Sequence, residues 1–369
     1  MTLIKVWAGE TRCNTDQTLE FEKVETSNGT FRDEIILFLK NNGLGIDGDI
    51  EQFVVARCQR QLVACAGLAG NTLKCIAVAR EWRGTALGLK IIHEAELQAV
   101  QNGEHQLFLL TCPDNVRSFQ GCGFYPLVTL DNRATLMENS PVGIHRYCRQ
   151  LRGQHLVTAG NIGGIVMNAN PFTLGHQYLI EQAAKACDWL HVFVVEEDLS
   201  TFSFRQRFAM VQEGSRHLPN ITVHPGSKYI ISRGTFPGYF LKEKQIINEV
   251  YAAIDLLMFR RYIAPALNIN QRFVGTEPFC KVTAQYNDAM HHWLEDEMTI
   301  PAASIKVNEI QRMTDMNNLP ISASAVRKLL SHEDMHTVKS MVPATTMPYL
   351  YKWLSANQSK QPDLDMVDA

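Results

Sequence analysis

Two apolar rhythms alternate along the chain. Short apolar runs at 53–57, 61–66, 72–78 and 105–110 read as strands, and 85–101 carries apolar positions at helical spacing. From residue 162 the alternation becomes regular. The run I-G-G-I-V-M-N over 162–168 has the pattern of a buried strand, followed by a helix at 174–187, a strand at 191–195 and a helix at 204–217. A strand near Thr222, a helix at 242–258, a strand at 272–275, a helix at 281–295, a strand at 304–310 and helices after Ser322 complete the series. Strands that alternate with helices in this way predict a parallel sheet covered on both faces. Ligands are then expected beyond the carboxyl ends of its strands.

The predicted fold class is α/β in two domains. A polar stretch with two glycines near 149–160 separates the segments, giving a first domain at 1–150, a second at 151–355 and a flexible polar tail at 356–369. The length of 369 residues suits two domains, and 46% apolar with 20% charged residues is an ordinary globular balance. A net charge of −3 argues against a nucleic-acid partner held by a broad basic surface. No apolar run reaches the ~20 residues of a membrane helix, and the first residues lack the form of a signal peptide. The expectation is a soluble cytoplasmic protein. The nine cysteines are scattered and contain no C-x-x-C pair, so no zinc, redox or other metal site is predicted.

The sharpest local feature is N-A-N-P-F-T-L-G-H over 168–176, where the first strand of the second segment gives way to a helix. Free amides and the dipole at a helix N-terminus favour an anion. Gly175 would let a phosphate approach the backbone, and His176 can donate a hydrogen bond that strengthens as charge develops on a phosphoryl oxygen. A second feature, I-S-A-S-A-V-R over 321–327, also precedes a helix. There Ser322 or Ser324 can cap the helix, and Arg327 can clamp polyphosphate with two parallel hydrogen bonds. Each stretch alone also reads as an ordinary capped helix.

The pair, T-x-G-H after the first strand and I-S-x-S-x-x-R after the last, resembles the HIGH-motif nucleotidyltransferase superfamily. The resemblance implies a Rossmann-like doubly wound domain that transfers an adenylyl unit from ATP and expels pyrophosphate. It implies that Thr173 and His176 stabilise the reacting α-phosphate while Ser322, Ser324 and Arg327 hold the β- and γ-phosphates. Asn168, Asn170, Phe172 and Gly175 would line the ATP site. Arg207, in S-F-R-Q-R at a helix start, and Gly275 with Glu277, in V-G-T-E, would join them, the latter two near the adenosine. Thr173 stands where the strict pattern has its first His. No lysine-rich second motif is present, so a tRNA synthetase is not implied.

The hydroxyl- and aromatic-rich stretch at 227–242 reads as a packed loop or as one closing over an acyl substrate, with Lys228, Ser232 and Thr235 near its carboxylate. Together with the 168–176 block it resembles the [citrate (pro-3S)-lyase] ligase family along essentially the whole chain. That resemblance implies ATP with Mg²⁺ and acetate as reactants, and acetyl-adenylate as the intermediate. The acceptor implied is the CoA-derived thiol group of the citrate lyase acyl-carrier subunit.

The first segment carries R-G-T-A-L-G over 83–88 ahead of a helical run, with Asn115 and G-F at 123–124 downstream. This resembles the GNAT acetyltransferases and implies a GNAT-like domain. In those enzymes such a loop offers backbone amides to the pyrophosphate of coenzyme A. Arg83, Gly84, Ala86, Gly88 and Asn115 are the candidate residues for a CoA-like group. Phe119 stands where many members have an acidic tyrosine, and a phenyl ring cannot protonate a thiolate. Two other readings stay open: a nucleotidyltransferase joining AMP to a phosphorylated cofactor precursor, and a nucleotide- or acyl-CoA-sensing regulatory protein.

Overall fold

The computed structural model describes residues 18–27, 29–154, 157, 159–196, 200–230, 244–277, 281–297, 301–314 and 319–358. Its contacts divide the chain into two compact units, one of residues 1–147 with 232–258 and one of 148–231 with 259–369.

The first unit begins with β1 (Leu19–Glu25), α1 (Gly29–Asn41), β2 (Gln52–Cys58), β3 (Gln61–Ala69) and β4 (Thr72–Val78). It continues through α2 (Leu87–Gln101), β5 (Phe108–Thr111), α3 (Val116–Gly121), β6 (Tyr125–Leu130) and β7 (Ala134–Glu138). The seven strands form one sheet in the order β1-β2-β3-β4-β5-β7-β6. All neighbours are antiparallel except β4 and β5, which run parallel and pair only at Thr72 with Phe108 and Leu73 with Leu109. Beyond those residues the two strands lose their shared ladder. This mixed topology agrees with the GNAT-like expectation. Helix α2 lays Leu87, Ile91, Ile92, Ala95 and Ala99 onto the sheet, the i, i+4, i+8 stripe that its sequence spacing predicts. The division between units falls inside α4 (Gly143–Gly153).

The second unit is built on β8 (Ile162–Met167), α5 (Leu174–Ala186), β9 (Trp189–Val194), α6 (Phe204–Gly214) and β10 (Ile221–Pro225). Helix α7 (Lys244–Met258) follows in the chain but belongs to the first unit. After it come a π-helical turn (Phe259–Ile263), a short α8 (Ala264–Ala266), β11 (Gln271–Gly275), α9 (Lys281–Met290) and β12 (Lys306–Ile310). Helices α10 (Ala323–Ser331), α11 (Met335–Lys339) and α12 (Met347–Gln358) close the unit. The strand order is β10-β9-β8-β11-β12, with every neighbouring pair parallel. The order reverses direction at β8, so the crevice beyond the ends of β8 and β11 is the topological switch point.

One face of this sheet supplies Ile165, Met167, Leu190, Val192 and Val194 to a core shared with α5, α6, α10 and α12. The alternate residues of β9 and β10 look the other way. There His191 and His224 are buried with 2.8 Å between ring nitrogens, and Phe193 stacks on His224. Helix α12 extends to Gln358, so residues 356–358, read as tail, are helical. A packed apolar side makes the difference, since Leu350 is fully buried and Trp353 packs on the core. Among the described residues, no helix is long and apolar enough to cross a membrane.

Candidate active site

The end of β8 feeds a tight loop, residues 168–173, whose side chains are mostly occupied in holding it. Asn170 Oδ1 accepts from Phe202 N–H at 3.1 Å, and the Asn170–Pro171 peptide bond is cis. Arg207 on α6 is fully buried. Its Nη1 donates to Asn168 O, Asn168 Oδ1 and Val195 O, and its Nε donates to Phe202 O. Sequence reasoning expected Arg207 at the ATP, but here its guanidinium braces the backbone beneath the loop. Phe172 has no solvent exposure and is held against Gly214, where a Cβ would come within 2.4 Å of its ring. It stacks on the His176 ring at 5.8 Å between centroids.

Helix α5 opens with a capping box of an unusual kind. Thr173 Oγ1 accepts from His176 N–H at 3.4 Å, and the Thr173 N–H donates back to His176 Nδ1 at 3.1 Å. A His side chain thus fills the role that Glu or Gln has in the common box. The consequence is chemical. Nδ1 is an acceptor, so the neutral ring carries its proton on Nε2. Nε2 has no hydrogen-bond partner among the described residues. Burial, with the nearby positive charge of Arg312, pulls the His176 pKa down to about 4. The ring is therefore a neutral N–H donor at physiological pH.

Gly175 sits where the sequence places it, but its neighbour is protein. A Cβ there would lie 2.6 Å from the carbonyl oxygen of Ile321. The missing side chain lets the start of α5 meet the loop before α10. Ser322 caps α10 by accepting from Ala325 N–H at 3.1 Å, and Ser324, two residues on, is exposed. Arg327 crosses back to the first loop, donating through Nη1 to Asn170 O at 2.5 Å and through Nη2 to Ser324 Oγ at 3.1 Å. The two motifs, distant in sequence, thus share one corner of the fold.

Gly275 ends β11 and Glu277 follows it, at the same end of the sheet. Asn287 on α9 donates to Gly275 O at 3.1 Å. Glu277 is almost buried and pairs at 2.6 Å with Nη2 of Arg312, two residues beyond β12. Sequence reasoning missed Arg312. A single Arg after a strand has no spacing to distinguish it, and only the ion pair and its field at His176 mark it out. Lys228 lies in the turn after β10, two strands away from β8 in the sheet order. Ser232 and Thr235 lie outside the described residues. No group of three His, Cys, Asp or Glu side chains able to hold a metal occurs among the described residues.

In the first unit, Arg83 turns inward, donating through Nε to Val78 O at 3.1 Å and through Nη2 to Asn42 Oδ1 at 2.8 Å. Gly84 has φ of 79°, a left-handed turn that suits glycine. Thr85 Oγ1 accepts from Leu87 N–H at 3.2 Å as α2 begins, Ala86 precedes the first turn and Gly88 is buried within it. Asn115 is buried at the end of a short 3₁₀ turn. Phe119 is 5% exposed and packs into the core under α2.

A doubly wound parallel sheet with a Thr–His box at its first helix and a Ser-capped, Arg-bearing helix at its last is of the nucleotidyltransferase type. The citrate lyase ligase C-terminal domain model matches residues 162–350. A relative from Escherichia coli K12 named [Citrate [pro-3S]-lyase] ligase is 45% identical over 90% of this chain and 94% of its own. Relatives of the same name from Klebsiella pneumoniae and Haemophilus influenzae are 46% and 47% identical. Those alignments cover 86% and 90% of this chain, and 92% and 99% of the relatives. The chain belongs to the citrate lyase ligase family.

Proposed function

We propose that the second unit activates acetate with ATP and that the enzyme then acetylates the thiol prosthetic group of the citrate lyase acyl-carrier subunit. In the first step an acetate oxygen attacks the α-phosphorus of ATP. The bond to the β-phosphate breaks, leaving acetyl-adenylate and pyrophosphate. In the second, the thiolate attacks the acetyl carbon and AMP leaves. Adenylylation makes the carboxyl carbon reactive by giving it a good leaving group. Mg²⁺ would enter with ATP as the counter-ion of its phosphates.

The observation that carries this reading is the Thr173–His176 box. It leaves a neutral imidazole with its proton on Nε2, in a corner shared with Arg327. A preset donor aimed at developing phosphoryl charge accelerates transfer because it strengthens in the transition state. In this reading Arg327, with Ser322 and Ser324, holds the departing pyrophosphate, while Arg312, fixed by Glu277, adds a second cation. Gly275 and the backbone of residues 168–172 would shape the nucleotide pocket. Lys228 is the described candidate for the acetate carboxylate.

For the CoA-like group our candidate is the loop at 83–88, through its backbone amides. The Arg83 guanidinium is already engaged with Val78 and Asn42, so it contributes to loop shape. The lost ladder between β4 and β5 supports a thiol-bearing arm beside it. With Phe119 in place of an acid, the first unit would bind and present the thiol, with no proton transfer of its own. None of the seven described cysteines is in a disulfide, as suits a reducing compartment such as the cytoplasm.

Pyrophosphate exchange into ATP tests the first step. Exchange that requires acetate is the expected result. Exchange that requires a phosphorylated precursor, or none with folded protein, would overturn it.

A further inference from the structure

Helix α4 has two unlike faces. Ile144, Cys148 and Leu151 are buried at 2%, 3% and 3% exposure. Arg146, Arg149 and Arg152 are all exposed, and the helix, G-I-H-R-Y-C-R-Q-L-R-G, contains no acidic residue. At 100° and 1.5 Å per residue, the three arginines fall within about a third of the helix circumference and along about 9 Å of its length. None of their guanidinium groups makes a hydrogen bond or ion pair among the described residues. By contrast Arg57 and Arg312 each have a carboxylate at 2.6 Å or closer. An uncompensated cationic stripe is unusual in a chain whose net charge is −3.

We propose that this stripe docks a carboxylate-lined surface of the acyl-carrier subunit. The proposal rests on the reading that the acetyl acceptor is a protein-borne thiol. Charge complementarity selects this occupant from the others. The apolar residues of α4 are buried, so the helix has no wedge to insert into a lipid surface, as an interfacial helix needs. The chain around it is net acidic, which disfavours a long polyanion such as duplex DNA. A stripe of about 9 Å matches carboxylates one to two turns apart on a partner helix. Arginine suits the task because its planar fork meets a carboxylate through two parallel hydrogen bonds. Opposite charges at such a surface speed encounter and set orientation.

The test compares the full-length enzyme with R146E/R149E/R152E and with the neutral R146Q/R149Q/R152Q. The substrate is the thiol form of the carrier subunit. Acetate-dependent pyrophosphate exchange in the same preparations reports that the protein is folded and the first step intact. The expected result is a KM for carrier raised about tenfold or more in the glutamate variant and less in the glutamine one. Exchange and kcat at saturating carrier should be unchanged. The wild-type KM should rise with NaCl and the variants' should not. An unchanged carrier KM with wild-type salt dependence would overturn the proposal, whatever the variants do to binding of anionic vesicles or DNA. Wild-type enzyme that exchanges pyrophosphate but never acetylates the carrier would remove the partner altogether, and so overturn both this proposal and the second step of the reaction.

Discussion

His176 has two jobs on one ring. Nδ1 closes the capping box with the Thr173 N–H, and that bond decides which nitrogen keeps the proton. His176→Ala should slow acetate-dependent exchange by about a hundredfold, since a transition-state donor of this kind contributes about 3 kcal/mol. An unchanged exchange rate would refute the role. Arg312 lowers the His176 pKa by its charge. Arg312→Gln should therefore move the His176 titration upward, as read by NMR. The positions with motif spacing, Thr173, His176, Ser322 and Arg327, were legible in the sequence because spacing is a signal that single residues lack. Arg312 and the bracing contacts of Arg207 were not, because both depend on which strand ends meet. Gly175 shows the same limit: the sequence marks a glycine, and only the structure shows the Ile321 carbonyl against it.

The helices and strands of the second unit were readable because buried parallel strands are continuous apolar runs bounded by turns. β1 was not readable. Its sequence, L-E-F-E-K-V-E, lies at a sheet edge, where charged residues are tolerated on the open side. The π-helical turns at Phe259–Ile263 and His291–Glu295 continue a helical apolar rhythm and leave no trace at the level of spacing. The start of α5 is the element most exposed to mutation. Thr173→Ala removes the cap, which should cost about 1 kcal/mol by urea denaturation. It should reduce exchange more than that loss of stability explains, because His176 Nδ1 keeps the backbone N–H of residue 173 but loses the Thr173 Oγ1 that lies 2.9 Å from it. Thr173→Ser keeps the hydroxyl and should restore both.

At the scale of the molecule, a change of pattern near residue 150 was visible in the sequence, and the structure passes from one unit to the other inside α4. That α7 belongs with the first unit was not visible, since chain order carries no information about which neighbour a helix joins. The sheet of the second unit buries His224 at 1% exposure, and burial pulls its pKa down to about 4. The native protein therefore keeps this ring neutral while the unfolded chain takes up a proton below pH 6.5. The unfolded state binds more protons in that window, so stability must fall as pH falls from 6.5 toward 4. From pH 7 to pH 5 the loss attributable to His224 should be about 2 kcal/mol in urea unfolding, and His224→Asn should remove that share of the pH dependence.

The central claim is that acetate is activated as its adenylate. It is tested most directly by running the complete reaction with acetate labelled with ¹⁸O in both carboxyl oxygens. Attack of an acetate oxygen on the α-phosphorus, followed by attack of the thiol on carbon, leaves one acetate oxygen on AMP. The expected result is one ¹⁸O in each AMP released, with none in pyrophosphate. Unlabelled AMP, or label in pyrophosphate or orthophosphate, would contradict the account.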